Sequence, residues 1–217
     1  MVLSSNIKLV IFDLDGTLVD SKYDLTDSVN FVRHEHGLSP LPIDKVASYL
    51  GSGITALVKA VLAELKNNNF DEAVKMFKDH YAKHLTDKTL PYKDVMEMLS
   101  NIPQQKVLLS NKDEKFSKQI LNTLGLSKYF TKIYGGDSFK EKKPNPLPIY
   151  EIMKKFSLNK ENIVMVGDGA NDIMVGKNAG ITTIGVLYGY SSLEQINSLS
   201  PNYIAKSPEN ITEILNS

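Results

Sequence analysis

Residues 7–12 read Ile-Lys-Leu-Val-Ile-Phe, an apolar run rich in β-branched side chains, and such a run predicts a strand buried on both faces. Beyond residue 20 the period changes. Leu25, Val29 and Val32 recur at helical spacing until Gly37 and Pro40 close the segment. A second helix is expected over residues 44–50. A third, over 54–66, carries Leu57, Val58, Val61, Leu62 and Leu65 on one face. Asn67, Asn68 and Asn69 break it, and residues 71–85 repeat the pattern through Val74, Phe77, Lys78 and Tyr81. Residues 20–85 thus read as all-helical, without strand signals.

From Pro91 onward the two periods alternate. Helices are predicted over 92–100, 116–124, 146–156 and 173–179. Short strands are predicted over 106–109, 132–134, 162–166, 182–186 and 202–205. This βαβα rhythm predicts an α/β protein with a parallel, doubly wound sheet. The expected organisation is a core of residues 1–19 and 86–217, with residues 20–85 inserted as a helical domain.

Composition narrows the function classes. Lys+Arg and Asp+Glu both total 25 in 217 residues, so the formal net charge is zero and no nucleic-acid or acidic-membrane partner is indicated. The absence of cysteine excludes disulfides, a thiol nucleophile and cysteine-based metal sites. Residues 1–6 lack a charged n-region leading into a signal-peptide core, and no apolar stretch is long enough to span a bilayer. The expectation is a soluble cytoplasmic protein, monomer or homodimer. Arg33 is the only arginine, so anion recognition falls to lysines, backbone N–H groups and hydroxyls.

Candidate chemistry gathers at strand ends. The first strand runs into Asp13-Leu14-Asp15-Gly16-Thr17, which puts two carboxylates where ligands bind in open α/β sheets. An EF-hand loop would need glycine and glutamate where Leu18 and Asp24 stand, so that reading fails. Three more groups follow strands or open helices: Ser110-Asn111-Lys112, Lys142-Lys143-Pro144, and Gly167-Asp168-Gly169-Ala170-Asn171-Asp172. Singly, they also suit a helix cap, a solvated helix start and an N-cap aspartate. In a doubly wound sheet all four converge on one edge. Phosphoryl transfer asks for such a set: a carboxylate nucleophile, groups that neutralise the equatorial oxygens, and a hard divalent cation between two anions.

These four motifs, in this order, closely resemble the DxDGT signature and its companions in the haloacid dehalogenase superfamily of phosphatases and phosphotransferases. The resemblance implies a Rossmann-like core with a helical cap inserted after the first motif. It implies that Asp13 is the nucleophile that becomes aspartyl-phosphate, and that Asp15 protonates the leaving alcohol and then activates water. Mg²⁺ would be held by Asp13, the backbone carbonyl of Asp15, and Asp168. Ser110 and Lys143 would hold the transferring phosphoryl, with Asn111, Gly16 and Thr17 adding hydrogen bonds. Asp172 would orient metal waters or Lys143. Lys142 competes for the cationic role, but in the family the lysine directly precedes proline, which favours Lys143.

Within the superfamily, Asp15 separates this chain from the dehalogenases proper and the phosphonoacetaldehyde hydrolases, which lack the second acid. Asp-Lys-Thr-Gly-Thr and the spans of P-type ATPases are absent. The Gly51-Ser52-Gly53 loop and Ser110-Asn111-Lys112 resemble the phosphoglycolate phosphatase branch. That implies a small phosphorylated metabolite as substrate, 2-phosphoglycolate first. Sugar-phosphate phosphatase, pyrophosphatase, β-phosphoglucomutase-like mutase and non-catalytic phospholigand binding are the alternatives. The Gly51–Gly53 backbone is read either as an anion-receiving loop or as a tight helix–helix turn. His80 and His84 have the i, i+4 spacing of a metal pair, but no acidic motif joins them, and with His34 and His36 they read as solvated cap positions. Tyr81 and Phe77 read as cap core.

Overall fold

The protein is described from a computed structural model covering residues 6–65 and 70–216. Strand β1 (Leu9–Phe12) and a short β2 (Val19–Asp20) lead into helices α1 (Lys22–Glu35), α2 (Ile43–Ala47), α3 (Ile54–Val61) and α4 (Phe70–Tyr81). The chain returns through β3 (Leu90–Pro91), which pairs antiparallel with β2, and enters α5 (Val95–Asn101). Then follow β4 (Gln105–Leu109), α6 (Glu114–Thr123), β5 (Lys132–Tyr134), α7 (Leu147–Phe156) and β6 (Ile163–Gly167). Helix α8 (Ala170–Ala179), β7 (Thr182–Val186), α9 (Leu193–Ser198), β8 (Tyr203–Ala205) and α10 (Pro208–Asn216) complete the chain.

The main sheet runs β5-β4-β1-β6-β7-β8 with every neighbouring pair parallel. The chain winds outward from β1 to one edge, returns to β6 and winds outward to the other. The order therefore reverses between β1 and β6, which opens a crevice at their carboxyl ends. Side chains of β1 alternate between two apolar layers, as the pleat requires. Leu9 and Ile11 pack with Ile149, Ile152 and Val175 of α7 and α8. Val10 and Phe12 join a larger cluster that takes in Met98 of α5, Ile120 of α6 and Ile211 of α10. Both faces are covered, as expected for a doubly wound α/β protein.

The large cluster continues into the helical insertion through Leu25, Val29, Leu57, Phe77 and Tyr81. Here the element limits differ from the sequence expectation. Helix α3 stops at Val61, not near residue 66, because the Arg33 guanidinium takes the Val61 carbonyl and Leu65 N–H bonds back to Leu62 instead. The expected Asn67–Asn69 break lies outside the described residues. Helix α4 closes at Tyr81 in three-residue turns, through Lys83 N–H to His80 O and His84 N–H to Tyr81 O. The β2–β3 ribbon, α9 and α10 are additions that the hydrophobic pattern did not announce. The ribbon is only two residues per strand, too short for a period to register.

The return crossing is fixed by one buried carboxylate. Asp24 on α1 accepts Lys88 N–H at 3.0 Å, Thr89 N–H at 2.8 Å and the Thr89 hydroxyl at 2.6 Å. Replacing Asp24 with alanine strands two backbone donors, a loss of about 2–4 kcal/mol. For a chain this size the melting temperature should then fall by roughly 4–16 °C in scanning calorimetry. An unchanged transition would show that water satisfies the Lys88–Thr89 backbone equally well.

Candidate active site

Immediately after β1, Leu14 O accepts the N–H groups of Leu18 and Val19, which folds residues 13–19 into a tight loop. Gly16 takes φ +86°, and a Cβ there would collide with the Asp168 carboxylate. Only glycine gives both the turn and this close approach. The loop presents Asp13 and Asp15 at the carboxyl end of β1, while Asp168 stands at the end of β6. The two strands flank the point where the sheet order reverses.

Two buried lysines divide the carboxylates between them. Lys143, at the cis Lys143–Pro144 bond before α7, donates to Asp13 Oδ1 at 2.8 Å and to Asp172 Oδ1 at 2.6 Å. Lys112, after β4, contacts Asp15 Oδ1 at 2.9 Å and donates to the Tyr81 hydroxyl of α4 at 2.7 Å. The Ser21 hydroxyl donates to the same Asp15 oxygen. Asp168 accepts from the Thr17 hydroxyl at 3.2 Å and from Tyr190 N–H at 2.8 Å.

Electrostatics reflect crowding. Burial and then the Asp172 charge push Asp13 up to about 7, with Lys143 opposing. Asp168 is likewise raised well above the usual carboxylate range by burial, Asp172 and Asp13. Burial works against charge on Lys143, but Asp13 and Asp172 outweigh it and hold the ammonium protonated. Lys112 follows the same balance, with Asp15 and Tyr81 overcoming burial. Asp13, Asp168 and Asp172 each offer a carboxylate oxygen within 4.8 Å of the others. Three hard oxygen donors in excess of the local positive charge suit a hard divalent cation. The Asp15 side chain lies outside this trio, turned to Lys112 and Ser21, so any ligation by Asp15 falls to its backbone.

Ser110 is buried on the strand end beside Lys112, whose N–H it accepts at 3.2 Å. Asn111 lines the same cavity as Asp13 and Asp15, and its amide donates to the carbonyls of Gly51 and Lys143, both at 2.9 Å. The Gly51-Ser52-Gly53 loop is docked on the core by its carbonyls. Gly51 O also accepts from Asn171 at 2.9 Å, and Ser52 O from Lys142 at 2.7 Å. Gly53 has φ +88°, and a Cβ there would lie 2.9 Å from Asn111 O, so its glycine serves a turn and a close approach together. Lys142 therefore reaches the loop while Lys143 reaches the carboxylates.

Between loop and core lies a cavity of about 40 Å³. Its lining combines the polar Asp13, Asp15, Ser110, Asn111 and Lys112 with the apolar Leu25, Leu50, Ile54 and Leu57. A cleft of about 270 Å³ reaches the same two aspartates from the side of Asp168, Asp172 and Tyr190. The histidines stand apart. His80 stacks on Phe31 at 4.2 Å and meets Ser28, and His84 pairs with Asp87. Arg33 is spent on the carbonyls of Ser39 and Val61 and on Glu64. Lys112, Ser21 and Tyr190 had been given no role from the sequence. Only Lys112 carried a signal, as the third residue of a motif quoted for its neighbours.

A doubly wound sheet whose switch point gathers four acids, two buried lysines and a serine under a helical insertion defines a hydrolase of the phosphotransfer type. The sequence profile of the haloacid dehalogenase-like hydrolases matches residues 10–186, and the chain belongs to that family. A phosphoglycolate phosphatase of Neisseria meningitidis is 36% identical over 221 residues, covering 97% of this chain and 94% of that protein. One of Aquifex aeolicus is 36% identical over 211 residues, covering 96% of each. A crystal structure described as a predicted phosphoglycolate phosphatase from Haemophilus somnus superposes with a TM-score of 0.92 at 30% identity, over 96% of this chain and 98% of that one.

Because Asp13 rises from 3.8 to about 7 on folding, the native state holds a proton across that interval which the unfolded chain has released. Stability of the metal-free protein should therefore fall as pH rises from about 4 to 7. Asp13→Asn removes this titration. In EDTA at pH 8 the variant should melt several degrees above wild type, and the gap should close near pH 4. A gap independent of pH in calorimetry would show that Asp13 is not the group responsible.

Proposed function

We propose that this protein is a Mg²⁺-dependent phosphatase that hydrolyses a small phosphomonoester, 2-phosphoglycolate first, through an aspartyl-phosphate on Asp13. We place it in the cytoplasm, as a monomer or homodimer, since dianionic metabolites do not cross bilayers unaided. We also take residues 20–85 as the cap and residues 1–19 with 86–217 as the catalytic core. The observation that carries the reading is the division of labour at the end of β1. Lys143 anchors Asp13 beside Asp168 and Asp172, while Asp15 is held separately, by Lys112 and Ser21, at the mouth of the cavity. The names of the Neisseria and Aquifex relatives support the substrate.

In this mechanism an Asp13 carboxylate oxygen bonds to phosphorus as the phosphorus–ester oxygen bond breaks. Asp15 gives its proton to the departing alkoxide. Asp15 then takes a proton from water, whose oxygen attacks phosphorus and breaks the bond to Asp13, releasing inorganic phosphate. Lys143 and the Ser110 hydroxyl hold the phosphoryl oxygens throughout, which is where a largely dissociative transfer gains its rate. Asp13, Asp168 and the Asp15 carbonyl would hold Mg²⁺, which when bound offsets the repulsion between carboxylate and phosphate. Asp172 keeps Lys143 pointed at Asp13.

Phosphate release from 2-phosphoglycolate, sugar phosphates and pyrophosphate, with and without Mg²⁺, tests the reading. Mg²⁺-dependent turnover with 2-phosphoglycolate preferred is expected. Asp13→Asn should abolish release, and Lys143→Ala should cost several orders of magnitude in kcat while Lys142→Ala costs little. Release that survives Asp13→Asn, or the reverse lysine ranking, would overturn the assignment.

A further inference from the structure

We propose that Lys112 is the residue that selects a carboxylate-bearing substrate, by binding the anionic group next to the ester oxygen; this rests on the phosphatase reading above. Lys112 is the basic side chain among the residues lining the cavity of about 40 Å³, and it is only 5% exposed. Leu25, Leu50, Ile54 and Leu57 give the same cavity a large apolar share of its lining. A buried cation in such a setting is costly unless its N–H groups are met by polar partners. Of the three N–H groups of the ammonium, Asp15 engages one at 2.9 Å and the Tyr81 hydroxyl a second at 2.7 Å. Among the described residues no further acceptor meets the ammonium, so the third N–H falls to a ligand.

Geometry then restricts that ligand. The ester oxygen has to lie against Asp15, which protonates it. Lys112 Nζ is 2.9 Å from the same carboxylate, so a carboxylate one methylene beyond the ester oxygen falls within reach of the ammonium. Longer or bulkier alcohols would meet Leu50, Ile54 and Leu57 first. Tyr81 belongs to α4, whereas Lys112 follows β4, so the ammonium is fixed in place by the cap packing on the core. The Tyr81 ring is itself clamped between Phe77 at 5.6 Å and Phe116 at 5.7 Å. The cap thus contributes to recognition by aiming a core lysine. The Gly51–Gly53 loop, whose carbonyls face the core, serves as its docking point.

The test compares 2-phosphoglycolate with 2-hydroxyethyl phosphate, in which a neutral hydroxymethyl group replaces the carboxylate. Lys112→Met should lower the ratio of their kcat/KM values by roughly 10- to 100-fold, the range of one charge-assisted hydrogen bond. Any change common to both substrates cancels in that ratio. A binding readout keeps the proposal falsifiable if Lys112→Met does not fold. By titration calorimetry, Tyr81→Phe should weaken 3-phosphonopropionate several-fold and leave propylphosphonate unchanged. A ratio unmoved by Lys112→Met, or equal weakening of both phosphonates by Tyr81→Phe, would overturn the role of Lys112 alone. Wild-type protein that releases phosphate from neither ester would overturn the phosphatase reading instead.

Discussion

One ammonium group organises this molecule. Lys143 sits 3% exposed between Asp13 and Asp172, and no other cation contacts either carboxylate among the described residues. With Asp168 also buried at the same place, three acids face one base, and burial together with this excess of negative charge raises Asp13 and Asp168. A core assembled for stability alone would not gather like charges out of water. The sheet tolerates them because both its faces are fully covered by apolar layers, which supply the stability that the site gives up.

The cap extends the same principle. Its contact with the core is apolar through Leu25, Leu57 and Tyr81, yet polar groups set its register. Asn111, Asn171 and Lys142 come from three different motif loops, and all donate to Gly51 or Ser52. Lys112 adds a fourth tie through Tyr81. Every one of these donors neighbours a residue of the proposed chemistry. The packing of the helical insertion and the arrangement of the candidate site therefore share the same contacts.

Much of the fold was legible because its signals are local. Runs such as residues 9–12 and 163–166 are apolar at every position, as suits strands covered on both faces, and a candidate acid follows each within two residues. What escaped was short or non-local. The β2–β3 ribbon has no period to detect, and the end of α3 depends on Arg33, 28 residues from the carbonyl that it captures. At the site, Asp13, Asp168 and Lys143 were recognisable by motif, and the structure brings them together. The Asn111 amide also donates to Gly51 and Lys143, contacts between segments far apart in the chain that no local signal announces.

By itself the sequence determined the α/β architecture, the order of the four motifs and the residue types available for chemistry. Periodicity and motif spacing are properties of neighbouring residues, so no folding is needed to read them. The position before proline favoured Lys143 for Asp13, but only tertiary structure gave Lys112 to Asp15 and Lys142 to the Ser52 carbonyl. Lys142 and Lys143 are adjacent and chemically identical, yet one reaches Ser52 and the other Asp13. Lys112 and Tyr81 are 31 residues apart and meet only when α4 packs on the core. Ion pairing depends on distance through space, and in a buried site that distance is set by the packing of elements far apart in the chain.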